Sequence, residues 1–307
     1  MYKLARQCRQ RYQLFFFLIP ALIYILVFHY YPMLGVQIAF RDYTPVGGIW
    51  GSDWVGLKHF RRFFKSYQFD RVLKNTLSIS VYSLLLNFPL AIFMSLCMNT
   101  VRNVHYKKLV QTVTYMPHFI STVVLVGMLT QLLNPIMGLY GNVYRLITGS
   151  AVYPKDLLSK SGYFQHLYVL SGTWQNLGWN TIIYISALSA VDPELHEAAE
   201  IDGANKWQKI WHITIPALIP MITVMLLLSV GNIMKSDTGL FYQVTRNSGV
   251  LYPTTQVIDS YVLNAIFRNS NFGFTAATSF FQSVVGLLMM LFANGMVRKI
   301  APENALF

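Results

Sequence analysis

The sequence comes closest to a catalytic pattern at His196-Glu197-Ala198-Ala199-Glu200. A zinc peptidase needs His at both ends of such a helical turn, so that two imidazoles share one face and the Glu between them serves as general base. Here Glu200 stands where the second His is needed and no third ligand is near, which argues against a metal site. Cys8 and Cys97 lie far apart and make neither a disulfide framework nor a thiolate site. No GxxxxGK[ST] loop is present to cradle phosphates. What remains is a set of amides and prolines in apolar surroundings, Pro89, Pro117, Asn176, Asn180 and Gln282. An amide facing lipid would be costly, so these side chains should face other helices. There they either hydrogen-bond across a bundle or line the path of a polar solute.

The elements that position them are legible from charge. Of 307 residues only 12% are charged, about half the usual share, while 54% are hydrophobic and 15% aromatic. Six stretches, 12–40, 75–101, 109–144, 161–191, 210–234 and 269–297, contain no Asp, Glu, Lys or Arg. Each exceeds the roughly 20 residues that span a bilayer. A soluble enzyme, a nucleic-acid binder and a disordered chain are poor readings of such a pattern. The net charge of +12 forms no single patch; the basic residues punctuate the ends of apolar runs.

The expectation is an all-α membrane protein with six transmembrane helices, at about 12–40, 75–101, 109–134, 163–191, 212–234 and 272–297, within a domain spanning 12–300. A basic tail, 1–11 with Lys3, Arg6, Arg9 and Arg11, precedes it, and a short tail, 301–307, follows. The first apolar run continues to Phe40 without a small-x-small cleavage site, so it reads as a retained helix rather than a signal peptide. Six spans put both termini on one side. Lys and Arg are denser in 1–11, 102–108, 192–209 and 298–307 than in 41–74, 145–160 and 235–268, though the raw count is 11 against 13. Density in short loops favours cytoplasmic termini.

Between spans four and five lies Asp192 to Trp207. Asp192 is a natural N-cap, Pro193 fits the first helical position, Glu194 suits the positive end of the helix dipole and Gly203 is a natural stop. Leu195, Ala198 and Ala199 share a face with Glu197 and Glu200 beside them, and a second amphipathic piece, Trp207 to Ile213, leads to Pro216. A short acidic helix held between spans suits docking into a partner's groove. It is equally readable as a solvated surface helix.

Glu197-Ala198-Ala199, then Gly203, then Ile213-Thr214-Ile215-Pro216 resembles the EAA loop of binding-protein-dependent ABC importer permeases. Further segments resemble the carbohydrate branch that imports oligosaccharides derived from polysaccharides, among them alginate oligosaccharides. They include Tyr31-Pro32-Met33, Trp54-Val55-Gly56-Leu57, Pro117-His118-Phe119-Ile120-Ser121, Gly178-Trp179-Asn180 and Val257-Ile258-Asp259-Ser260-Tyr261. The resemblance implies the type I permease architecture in a prokaryotic inner membrane. The loop 192–216 would then be a coupling element in a cleft of a cytoplasmic ATPase, contacting it through Glu194, Glu197, Ala198, Ala199, Asp202, Gly203, Ala204 and Pro216. It also implies a second permease subunit, two ATPase subunits that bind ATP and Mg, and an extracytoplasmic solute-binding protein, with no cofactor on this chain and no catalysis by it. Two features depart from the pattern, Ile210 in place of an aromatic and the stretch from Lys235 to Tyr252.

Sugars are held by aromatic faces and by amide or hydroxyl partners. On that chemistry the substrate path would draw on Tyr82, Asn87, Trp174, Asn176, Trp179, Asn180, Tyr184, Asn232 and Gln282, with Asn176 and Asn180 on one helical face. Trp174 and Trp179 are equally readable as headgroup-level anchors. Lys58, Arg61, Arg62, Lys65, Arg71 and Lys74 outnumber Asp53 and Asp70 in the loop 53–74. They would face lipid headgroups, or dock an acidic protein surface, or steer an acidic sugar. The rival readings are a stand-alone secondary transporter and a membrane-embedded enzyme. The first usually carries intramembrane charges and internal repeats, and the second wants clustered His, Asp or Cys. The six spans show no charges and no such cluster.

Overall fold

The computed structural model describes residues 12–149, 151–245 and 248–307, together with the backbone but not the side chains of 12–15, 268 and 269. The expected basic tail, 1–11, lies outside the described residues. The described chain is helical, with one isolated bridge between Arg41 and Trp54 and no strand.

The chain divides into two compact units. The first comprises residues up to Ser66 and Asn264–Phe281. It begins with helix α1 (Tyr12–Ile25), prolonged by a π-turn (Leu26–Tyr30) and a 3-10 stretch (Leu34–Phe40). Pro32 lacks an N–H and breaks the regular ladder, and the wider π-turn precedes it, with Tyr31 N–H bonded to Leu26 O. Phe16, Phe17, Leu22 and Phe28 are all exposed along this run, as on a helix that lies in lipid.

Helix α2 (Lys58–Phe64) follows. Its basic face is partly committed inside this unit. Lys58 pairs with Asp42 at 2.6 Å, and the Arg62 guanidinium sits 5.4 Å from the Phe274 ring centroid. The Lys58 hydrogen bond holds the Asp42 carboxyl below its ordinary range. His59, 3% exposed, bonds Arg41 O at 3.0 Å. A Cβ on Gly273 would come within 2.5 Å of that imidazole, so only glycine fits there.

The second unit comprises Tyr67–Leu263 and Gln282–Phe307. Its frame is helix α3 (Phe69–Thr100) packed along helix α7 (Ser161–Ser189). One core cluster joins Ile79, Phe164, Val169, Phe241 and Val257; another joins Ala91, Tyr184, Leu188 and Leu218. Between the two helices the chain forms α4 (Val104–Tyr115), α5 (Thr122–Leu132) and α6 (Leu139–Thr148). After α7 come α8 (Pro193–Ile201), the long α9 (Lys206–Gly231), α10 (Thr238–Thr245), α11 (Ile258–Asn269) and α12 (Phe272–Ile300).

Among the described residues, four helical runs are long and apolar enough to cross a membrane: Phe16–Phe40, Phe69–Thr100, Lys206–Gly231 and Phe272–Ile300. The third expected span, 109–134, is not one helix. It breaks into α4 and α5, bent by 99°. The fourth is a 29-residue helix, α7, long enough at about 44 Å. It falls short of the apolarity of the other four because amides and hydroxyls punctuate it. Several bounds move outward: the second run begins at Phe69 rather than 75, the fifth at Lys206 rather than 212, and the sixth ends at Ile300. The tail 301–307 is not loose. Both ends of the Asn294 amide hold it, accepting from Leu306 N and donating to Phe307 O, each at 2.8 Å.

Candidate functional site

A cleft of about 530 Å³ opens within the second unit, walled by α3, α7 and the turn between α9 and α10. Five of the expected substrate-path residues line it: Asn87, Asn176, Asn180, Tyr184 and Asn232. Asn176 and Asn180, one helical turn apart, share the α7 wall. Asn87 Oδ1 is buried with no hydrogen-bond partner. An orphan acceptor of this kind is costly unless a mobile partner visits it. Asn232 Nδ2 is tied to Leu228 O of its own helix at 3.0 Å. The wall is therefore rich in amides and hydroxyls, which suits a solute with many hydroxyl groups and no fixed orientation.

Amides on α7 also hold the break in α4–α5. Pro117 initiates a 3-10 turn (Met116–Phe119), Ile120 is extended, and Ser121 caps α5. Gln175 Nε2 donates to Ile120 O at 2.7 Å, satisfying a carbonyl that the break frees. His118 Nδ1 meets Asn176 Oδ1 at 3.0 Å, and its ring stacks on Trp179 with centroids 4.4 Å apart and planes 8° apart. Asn176 thus faces the cleft and pins the break at once.

Four of the expected path residues lie elsewhere. Tyr82 packs on the first core cluster, and its hydroxyl meets His166 Nδ1 at 3.2 Å. Trp174 is exposed away from the cleft, and Trp179 is engaged with His118. Gln282 is 6% exposed and bridges Met234 O and Asp259 Oδ1. The other Asp259 oxygen accepts from both N and Oγ of Ser236 at 2.7 Å. Gln282 therefore braces the turn that carries part of the cleft wall and is not itself on that wall. Sequence reasoning missed Ser80, Ser83, Ser229, Lys235, Ser236 and Asp237 on the wall. The serines of α3 recur with Asn87 at spacings of three and four, a phase that marks one face.

The coupling candidates form one exposed element. Asp192 Oδ1 accepts from Glu194 N at 2.9 Å to cap α8. Gly203, at φ +81°, ends it, and Ala204 N reaches back to Ala199 O at 2.8 Å. The structure places Glu194, Glu197, Ala198, Asp202 and Gly203 at the surface, with Ala199 and Ala204 half-buried. Glu200 is tied to Lys209 at 2.7 Å, and that hydrogen bond holds its carboxyl below the ordinary range. Asn205 and Gln208 form a reciprocal capping box that starts α9. Pro216, exposed near the head of the regular helix Ile215–Gly231, follows a π-turn (Ile210–Thr214) that absorbs its missing N–H. Large apolar side chains stay uncovered here, Leu195 at 54%, Ile201 at 87% and Trp207 at 71% exposed.

Residues 87–302 match the family described as "Binding-protein-dependent transport system inner membrane component". The chain is 38% identical over 301 residues to the polygalacturonan/rhamnogalacturonan transport system permease protein YteP of Bacillus subtilis, covering 98% of this chain and 92% of that protein. It is 35% identical over 291 residues to protein LplB of the same organism, covering 95% and 90%. Among solved structures, it is similar to a chain of a bacterial ABC transporter involved in the import of the acidic polysaccharide alginate. The TM-score is 0.85 at 34% identity, with 97% of this chain and 99% of that chain covered. A second structure, of the bacterial alginate ABC transporter in complex with an alginate pentasaccharide-bound periplasmic protein, matches with TM-score 0.84 at 34% identity over 96% and 97%.

Proposed function

The chain belongs to the binding-protein-dependent transport system inner membrane component family, a permease subunit of an ABC importer, and from that premise we propose that it forms half of a translocation path for an oligosaccharide. The remaining parts of the reading follow from chemistry. Six crossings complete the topology, with α7 as the polar member that is screened from lipid and the bent α4–α5 pair as another. The N- and C-terminal ends and α8 face the cytoplasm. Six crossings are few for a closed path wide enough for an oligosaccharide, so a second permease supplies the other half. It has no phosphate-cradling loop, so two ATPase subunits bind ATP and Mg and do the hydrolysis. A binding protein delivers the sugar to the opposite side.

The observation that carries the reading is α8. It is capped at both ends by its own residues, tied to α9 by the Glu200–Lys209 pair, and left with Leu195 and Ile201 uncovered. A short ordered helix whose apolar side chains lie uncovered fits a groove in another subunit. Glu194, Glu197, Ala198, Ala199, Asp202, Gly203 and Ala204 would meet that groove, and Pro216 would set the stiff entry to α9. In the cleft, Asn87, Asn176, Asn180, Tyr184 and Asn232 would hold hydroxyls of the passing sugar.

The test is disulfide crosslinking from a cysteine at 198 or 199 to the co-expressed ATPase subunit, together with ATP-driven uptake in liposomes. Crosslinking with ATP-dependent yield supports the reading. Uptake without any ATPase subunit, or labelling of α8 from the outside of intact cells, overturns it.

A further inference from the structure

The cleft wall carries two charged side chains, Lys235 and Asp237, at the end of α9 far from α8. Their situations differ. Asp237 has a structural duty: its carboxylate accepts from Leu240 N at 3.1 Å at the start of α10, where the helix dipole favours an anion. Asp259, just behind the turn, is held by Ser236 and Gln282. Both acids are therefore satisfied by neutral donors. Lys235 is exposed into the cleft, and among the described residues no carboxylate lies within 4 Å of it.

An unpaired ammonium on a wall of hydroxyls and amides adds nothing to the fold and repels cations. What it can add is a charge-assisted hydrogen bond to an anion in the cleft. We infer that Lys235 is a specificity-determining residue that favours oligosaccharides bearing carboxylates, namely uronate sugars, over neutral ones of the same shape. The inference rests on the oligosaccharide reading above. The neighbouring amides would bind hydroxyls of either kind of sugar, and Lys235 would distinguish them.

The experiment compares wild type, K235R, K235Q and K235E in the assembled importer, reconstituted with its binding protein and ATPase subunits. Uptake is measured for an oligouronate and for its carboxyl-reduced neutral counterpart, alongside ATP hydrolysis stimulated by the loaded binding protein. The binding protein's own selectivity is common to all four and cancels in the comparison. The expected result is a loss of about tenfold in oligouronate uptake for K235Q and more for K235E, with K235R near wild type. Uptake of the neutral sugar should fall far less than that of the oligouronate, and hydrolysis stimulated by the loaded binding protein should be retained. Equal uptake by all four proteins overturns the inference, as does a parallel loss of hydrolysis, which would make Lys235 a docking residue for the binding protein. If wild type hydrolyses ATP with the loaded binding protein but imports neither sugar, the oligosaccharide reading itself fails.

Discussion

A single methyl group at position 178 tests how the break at Pro117 is held. A Cβ on Gly178 would stand 2.2 Å from Thr114 O, 2.5 Å from Thr114 C and 2.8 Å from Tyr115 Cδ1. Even a favourable carbon–oxygen contact needs about 3.3 Å, so roughly 1 Å of space must open between α7 and the end of α4. The carbonyl belongs to a helix and cannot swing aside, so the helices must part. Overpacking of this kind costs about 1–3 kcal/mol. Parting also stretches the Gln175–Ile120 bond and the His118–Asn176 contact, made three and two residues away on the same helix. Losing one such bond adds about 1 kcal/mol. Gly178→Ala should therefore lower the apparent melting midpoint of the purified assembly by about 5 °C or more at a fixed scan rate. Gly172, on the same helix, has nothing within 4 Å of an added Cβ. Gly172→Ala should be neutral or slightly stabilising, since Ala is the better helix former. If the two variants melt alike, α7 does not brace the break through close approach at Gly178.

The other expectations are brief. Gly203→Ala places a side chain at φ +81°, costing about 1–2 kcal/mol; it should reduce uptake and stimulated ATP hydrolysis together, with Gly203→Asn milder. Asn87→Leu removes an amide whose oxygen has no partner, so melting should hardly change while uptake falls, whereas Asn176→Leu should lower both, because Asn176 also holds His118. The depressed Glu200 carboxyl makes its tie to Lys209 fully present above the ordinary carboxylate range and lost as pH falls through the lowered value. Spin labels on α8 should therefore gain mobility on acidification below the ordinary carboxylate range in wild type, with Glu200→Gln mobile at every pH. The Glu200 carboxylate is exposed to water, so salt should weaken the same effect.

What was legible in the sequence was local. The charge-free runs announce apolar helices because the bilayer's demand is a matter of composition over about 20 residues. The cap at Asp192 and the stop at Gly203 are set by bonds within four residues, and both stand where the residue types place them. The break at Pro117 was only half legible. The proline is visible, but a 99° turn also needs Ser121 as a cap and Gln175 from 55 residues away to satisfy Ile120.

The cleft divides along the same line, between residue type and helical phase. On α3 the wall residues fall at 79, 80, 83, 84, 87, 88 and 91, and on α7 at 168, 169, 172, 175, 176, 180 and 184, each a broad stripe at the 3.6-residue period. Tyr82 lies about 140° from Asn87, near the middle of the α3 stripe, and Trp174 about 160° from Asn176 on α7, since each residue turns the helix by roughly 100°. Both have the chemistry of sugar binding on the wrong side of the helix. Asn87, Asn176 and Asn180 have it on the right side. Phase could have excluded Tyr82 and Trp174 once the middle of the wall stripe on each helix was known. It could not have reassigned Gln282, whose duty is to Met234 and Asp259, 48 and 23 residues away. Nor could it have found Lys235, which matters because every nearby acid is already satisfied, a fact that only the assembled structure contains.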